Sequence, residues 1–223
     1  MPRAVGRRDE IHQTFIRHVA ERGYELANLG AIATELGMSK GTIVHHFGAK
    51  AQMLRELEES YMRRQLDAVH LMWDRLAAPE ERIAAIIYGS ALLHELDRDA
   101  TVATQREVVQ LADDPQMQEV RKLRAEMQGL TIAELERGVE ENVFRPVNVE
   151  VTNLQLWGSL QWLWVWFDPS GSMRPEDVGA AFTDVFVRGL LVKPDRLAAD
   201  LTDPDGALAR VVRECLTAGR TTD

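Results

Sequence analysis

The sequence predicts an all-α protein, and three observations carry that expectation. Apolar residues recur at helical spacing in one stretch after another, as in Leu29, Ile32, Ala33 and Leu36 or Val178, Phe182, Val185 and Phe186. Pro115 and Pro175 stand where a helix tolerates proline, at its first turn. No Val/Ile/Thr-rich alternating segment with hairpin turns occurs, so strands are not expected. The pattern divides into an N-terminal three-helix domain with a helix-turn-helix (1–50), a larger helical domain (51–193) and a C-terminal extension with one more helix (194–223).

The composition of the 223 residues, 45% hydrophobic, suffices for a buried core. One cysteine, Cys215, excludes an intramolecular disulfide and any zinc site built on several thiolates, which fits a reducing cytosol and a cytoplasmic location. The N-terminus has no apolar signal region. The most apolar run, 154–167, is short for a bilayer and is interrupted by Gln155, Ser159 and Gln161, so no membrane span is expected. Net charge is −9, unevenly spread: residues 1–50 carry seven Lys or Arg against five Asp or Glu, a balance of +2, and the rest carries −11. A basic head on an acidic body would show this asymmetry, although +2 is also close to neutral.

Arg3, Arg7 and Arg8 form a short basic arm. The first helix, roughly Asp9 to Glu21, buries Ile11, Phe15, Ile16 and Val19 and closes at Gly23, with His12 and His18 facing solvent. Asn28 caps the next helix. Gly37 closes it, since glycine enters the left-handed region without a Cβ penalty, and Met38 follows as the apolar residue beyond the cap. Ser39 caps a third helix, Lys40 to His46, of about two turns or roughly 10 Å. Ile43 and Phe47 point inward from it, and Lys40, Thr42, His45 and His46 point outward. Two short helices around a glycine turn make a helix-turn-helix, whose second helix can enter a DNA major groove.

A long helix from about Ala49 to Leu76 follows, broken by Ala77-Ala78-Pro79. Helices are then expected over Glu80 to Leu96, Ala100 to Leu111 and, after Asp113-Asp114-Pro115, through to about Glu141. Asn148 caps a helix through Phe167 that holds Trp157, Trp162, Trp164 and Trp166. Pro175-Glu176-Asp177 opens the next, with carboxylates against the positive end of the helix dipole. An amphipathic segment, Ala207 to Leu216, ends the chain.

Between Asp9 and about Leu54 the chain resembles the TetR family of transcriptional regulators. The residues that carry the resemblance are Ala20-Glu21-Arg22-Gly23-Tyr24, Ile32-Ala33, Leu36-Gly37-Met38-Ser39-Lys40-Gly41-Thr42-Ile43, His46-Phe47 and Lys50. It departs from the family at Val44, where an aromatic residue often reaches a phosphate, and at Asn28 and Gly30, where relatives often place backbone-contacting hydroxyl and basic side chains. The resemblance implies a ligand-responsive regulator that binds double-stranded operator DNA as a homodimer and is released, as a repressor, from a palindromic site by a small effector. DNA contacts carry over to Lys40, Thr42, Val44, His45, His46 and Lys50, with His46 open to a second role in orienting the helix. The long helix would join the reading head to an effector-binding body.

For that body the resemblance implies an apolar or amphipathic ligand, an acyl-CoA or another lipophilic compound. His94, Gln105, Trp157, Gln161 and Trp162 are the candidates for lining its pocket, with ordinary core or surface as the alternative. Arg121, Lys122 and Arg124 read as a solvated helix face that would also suit the phosphates of a coenzyme A. Trp164, Phe182, Val185 and Phe186 are candidates for a dimer interface, with the monomer core as the alternative. The extension is either a cap over the body or an extra dimer contact. No cofactor or metal is implied, and no phosphate loop, nucleophile elbow or His-Glu-x-x-His motif marks an enzyme. The alternative function is a ligand-binding or scaffolding dimer that no longer reads DNA.

Overall fold

A computed structural model of the chain describes residues 6–107 and 114–219. Arg3, Asp113 and the expected end of a helix at Leu111 lie outside the described residues. Those residues hold eleven α-helices: α1 (Arg7–Arg22), α2 (Leu29–Glu35), α3 (Lys40–Phe47), α4 (Lys50–Trp73), α5 (Pro79–Leu96), α6 (Arg98–Arg106), α7 (Gln118–Glu140), α8 (Val149–Gln161), α9 (Leu163–Trp166), α10 (Pro175–Leu190) and α11 (Ala207–Gly219). Among them no strand forms, and the one extended pairing is an isolated bridge between Phe144 and Leu191. No described helix is long and apolar enough to cross a membrane.

The described chain divides into two compact units. The first holds 6–62, 99–107 and 114–121. Its α1 starts two residues earlier than the sequence predicts, because Asp9 accepts the Gly6 N–H at 3.3 Å across the first turn. Arg7 and Arg8 are thereby helical rather than part of a free arm. Arg8 pairs with Glu56 at 2.5 Å and lies over the Phe47 ring. The helix closes at Gly23, whose φ of +84° favours glycine.

Both histidines of α1 correct the expected solvent-facing placement. His18 is buried and its Nε2 meets Glu35 Oε2 at 2.9 Å. His12 bonds to the Met53 carbonyl and packs against the Phe47 ring. The cause is visible in the spacing: His18 falls seven residues after Ile11, and His12 four before Ile16, so each shares a row with buried residues. Together with Arg17, His18 holds the Glu35 carboxyl below its ordinary range through hydrogen bonds, and burial lowers His12.

The second unit holds 63–98 and 122–219. Its centre is α5, buried continuously from Ile83 to Gly89 and from Ala91 to His94. A helix apolar on every side must be covered on every side, and α8, α10 and α11 supply the cover. Tyr88 donates from its hydroxyl to the Leu201 carbonyl at 3.2 Å. The extension continues this core: after two 3₁₀ turns, Pro194–Arg196 and Ala199–Thr202, α11 buries Leu208, Val212, Cys215 and Leu216. Arg213 ties α11 to Glu95 and Glu176. The extension thereby packs over the body.

The helix expected to run unbroken to Phe167 is interrupted. At Trp162 the backbone tightens into bonds of the i−3 type, with Trp162 N–H to Ser159 and Val165 N–H to Trp162, so α8 ends at Gln161 and α9 restarts at Leu163.

Candidate nucleic-acid interface

The reading helix is set by two caps and two anchors. Asn28 Oδ1 accepts the Gly30 N–H at 2.7 Å and starts α2. Gly37, at φ +62°, turns the chain, and the Met38 N–H bonds back to the Ala33 carbonyl at 2.8 Å. Ser39 Oγ accepts the Thr42 N–H at 3.1 Å and starts α3. Ile43 and Phe47 are buried, fixing the rotation of α3 about its axis.

The opposite edge of α3 faces outward. Lys40 and His45 are exposed, Val44 is 43% exposed, and Thr42 and His46 are half-buried. Thr42 Oγ1 lies 3.0 Å from Ser39 Oγ, which holds its rotamer. The His45 and His46 rings meet edge to face with centroids 5.8 Å apart.

Lys50, at the start of α4, is held by its own chain. Its Nζ donates to the Glu25 carbonyl at 3.3 Å and sits 4.2 Å from the centroid of the Tyr24 ring. Tyr24 is held in turn. Its N–H donates to Oε1 of Glu107, a buried carboxylate just past α6, at 2.8 Å, and Arg106 donates to the Ala20 carbonyl at 3.4 Å. Burial raises the Tyr24 phenol above its ordinary pKa. A Cβ on Gly23 would lie 3.2 Å from Arg106 Nε, a tight contact, and the positive φ itself favours glycine. Sequence spacing gives no sign of Tyr24 or Glu107 in this role, because the two are 83 residues apart.

The remaining candidates are dispersed. Gln105, in the first unit, is half-buried with its Oε1 unpartnered. The other four are in the second unit. His94 has no exposed surface, no hydrogen-bond partner on either ring nitrogen, and the Phe167 ring edge-on at 5.9 Å. Its burial, with Arg98 adding to the effect, lowers its pKa to about 4, so the ring is neutral. Trp157 donates from Nε1 to Thr131 at 3.3 Å, Gln161 is half-buried with an unpartnered Oε1, and Trp162 is 60% exposed. Trp164, Phe182 and Phe186 are half-buried, whereas Val185 is 78% exposed. Trp166, not among the candidates, stacks on Phe182 with centroids 6.3 Å apart and is itself exposed, as are Leu154 and Val165.

Residues 16–57 match the family model for bacterial regulatory proteins of the tetR family, and residues 76–190 match the one for the Tetracyclin repressor-like C-terminal domain. The HTH-type transcriptional repressor KstR2 of Mycolicibacterium smegmatis is 26% identical over 188 residues, covering 83% of this chain and 91% of the relative. Among solved structures, the ketosteroid transcriptional regulator KstR2 of Mycobacterium tuberculosis superposes with a TM-score of 0.78 at 23% identity, over 86% of this chain and 98% of that one. AibR in complex with isovaleryl coenzyme A and operator DNA gives a TM-score of 0.73 at 21% identity, over 80% and 96%. At these identities the two structures speak to the fold.

Proposed function

The chain belongs to the TetR family of bacterial transcriptional regulators, and from that premise we propose that it is a repressor that grips a palindromic operator as a homodimer and releases it on binding a small effector. The observation that carries this reading is the edge of α3. Lys40, Val44 and His45 face outward from a helix whose rotation is fixed by buried Ile43 and Phe47. Lys40 and Lys50 bracket that edge with positive charge for phosphates, and Thr42, His45 and His46 offer polar groups to base edges. Two copies related by a two-fold axis read the two half-sites of a palindrome.

The dimer surface is assigned to the outward apolar residues of α8, α9 and α10: Leu154, Trp166, Phe182, Val185 and Phe186, together with Trp164. Trp162, exposed at the break between α8 and α9, belongs with this group rather than with a pocket. For the effector, His94, Gln161 and Trp157 are the anchors. A neutral buried imidazole lacking partners and an unpartnered amide oxygen favour a largely apolar molecule with a few hydrogen-bonding groups. The AibR complex with isovaleryl coenzyme A supports an acyl-CoA as a second class, with its acyl chain against these residues. Effector and operator bind different states of the dimer, so each lowers affinity for the other by the same factor.

The test is a mobility-shift titration on duplexes from the region upstream of the protein's own gene, repeated with Lys40→Ala, Thr42→Ala and His45→Ala. Each substitution weakens binding, and Lys40→Ala also lowers the salt slope by about one. Parental affinity in all three variants would show that α3 is not the reading edge.

A further inference from the structure

Lys50 is the one proposed DNA contact that does not lie on α3, and its ammonium is placed by two consecutive residues of the turn between α1 and α2. Tyr24 provides the ring beneath it at 4.2 Å, and Glu25 provides a carbonyl at 3.3 Å. The turn that carries both is clamped by the end of α6 through Glu107 Oε1 on the Tyr24 N–H and Arg106 on the Ala20 carbonyl. A Cβ on Gly23 would lie 3.2 Å from Arg106 Nε and 3.4 Å from Glu107 Oε1. An ammonium has three donors. With one on Glu25, two remain for a phosphate.

We propose that Tyr24 and Glu107 are positioning residues for Lys50: the ring holds the ammonium, the buried carboxylate holds the ring's backbone, and operator affinity is set in part from α6. A flexible lysine stem loses rotamer freedom when it meets a phosphate. One already held on a ring loses less, so its contact is tighter. This rests on the reading that Lys50 touches operator DNA.

The experiment measures operator affinity and its salt dependence for Tyr24→Ala and Glu107→Ala, each alone and in a Lys50→Ala background, with thermal melting of the same samples. In the parent background each substitution lowers affinity about two- to fivefold, the loss expected of one exposed cation–π contact. Each also moves the salt slope toward that of Lys50→Ala, because fewer counterions are released. In the Lys50→Ala background neither has a further effect. Tyr24→Phe, which keeps the ring, and Glu107→Gln, which keeps an acceptor oxygen, restore both affinity and slope. Unchanged affinity in the single variants, or an equal loss with Lys50 already absent, would overturn the positioning role. Parental affinity and slope in Lys50→Ala alone would overturn the DNA contact itself, and the positioning role with it.

Discussion

Phe144 packs against the bare Cα of Gly138 so closely that a Cβ there would lie 2.0 Å from Phe144 Cδ2. The Gly138 carbonyl also accepts the N–H groups of Val143 and Phe144, at 2.9 and 2.8 Å, closing α7 and turning the chain back. Gly138→Ala therefore sets a clash against the gain of up to about 1 kcal/mol that alanine brings to a helix. The clash wins, for a net loss on the order of 2 kcal/mol. At Gly129 of the same helix a Cβ would meet nothing within 4 Å, so Gly129→Ala stabilises by about 0.5–1 kcal/mol. Urea midpoints of the two variants move in opposite directions; movement in the same direction would count against this account.

Glu134 is buried between two guanidinium groups, Arg82 at 2.6 Å and Arg137 at 2.5 Å. Arg82 also donates to the Leu76 and Trp73 carbonyls, and Arg137 to Ala77, so the carboxylate organises the turn from α4 to α5. Glu134→Ala removes the carboxylate from Arg82 and leaves Arg137 with Glu141 at 3.5 Å, at a cost of about 2 kcal/mol. Glu134→Gln keeps acceptor oxygen but not charge and costs less. Chemical denaturation at pH 7 reads both, and equal stability of the alanine variant and the parent would contradict the prediction.

His94 links stability to pH. Its folded pKa, about 4, lies below the ordinary histidine value of 6.5. The unfolded chain then binds a proton between those values that the folded chain refuses. Stability is therefore full above about pH 6.5 and falls as pH drops toward 4. The loss from this group between pH 7 and pH 5 is about 2 kcal/mol, and His12, also lowered by burial, adds to it in the same direction. His94→Leu, which has no proton to exclude, flattens the profile between pH 7 and pH 5. A profile as steep as the parent's would assign the dependence elsewhere.

Val185 is 78% exposed on a helix that also presents Phe182 and Phe186. A carboxylate placed in a dimer interface built on that surface would be buried without a partner, at a cost of several kcal/mol. Val185→Glu is expected to shift the sedimentation coefficient from dimer to monomer at micromolar concentration while leaving the helical circular-dichroism spectrum intact. A dimer of unchanged dissociation constant would remove α10 from the interface.

Local features were legible because local rules govern them. Asn28, Ser39 and Asn148 each accept a backbone N–H at the start of a helix, as their short polar side chains predict. Asp114 accepts the Gln116 N–H, but the turn it starts is 3₁₀ before α7 begins. The rotation of α3 also followed from spacing, since Ile43 and Phe47 lie four apart and both are buried. His18 shows the limit of reading polarity instead of period: it lies in the same row as Ile11 and Phe15, and the row decided its burial. Residue type alone does not separate pocket-lining from surface side chains: Trp162 is 60% exposed, whereas His94 has no exposed surface.

The chain by itself determined its helices, the glycine turn between α2 and α3, the inward and outward sides of the reading helix and the family resemblance. Each of these depends on residues within a few turns of one another. Only the tertiary structure decided that Glu107 holds Tyr24 beneath Lys50, that α11 closes over α5, and that Trp166 and Val185 lie exposed while His94 is sealed. These depend on contacts between segments far apart in the chain, where partner choice is set by shape and by which polar groups must be satisfied on burial, and no periodicity within one helix encodes the face of another.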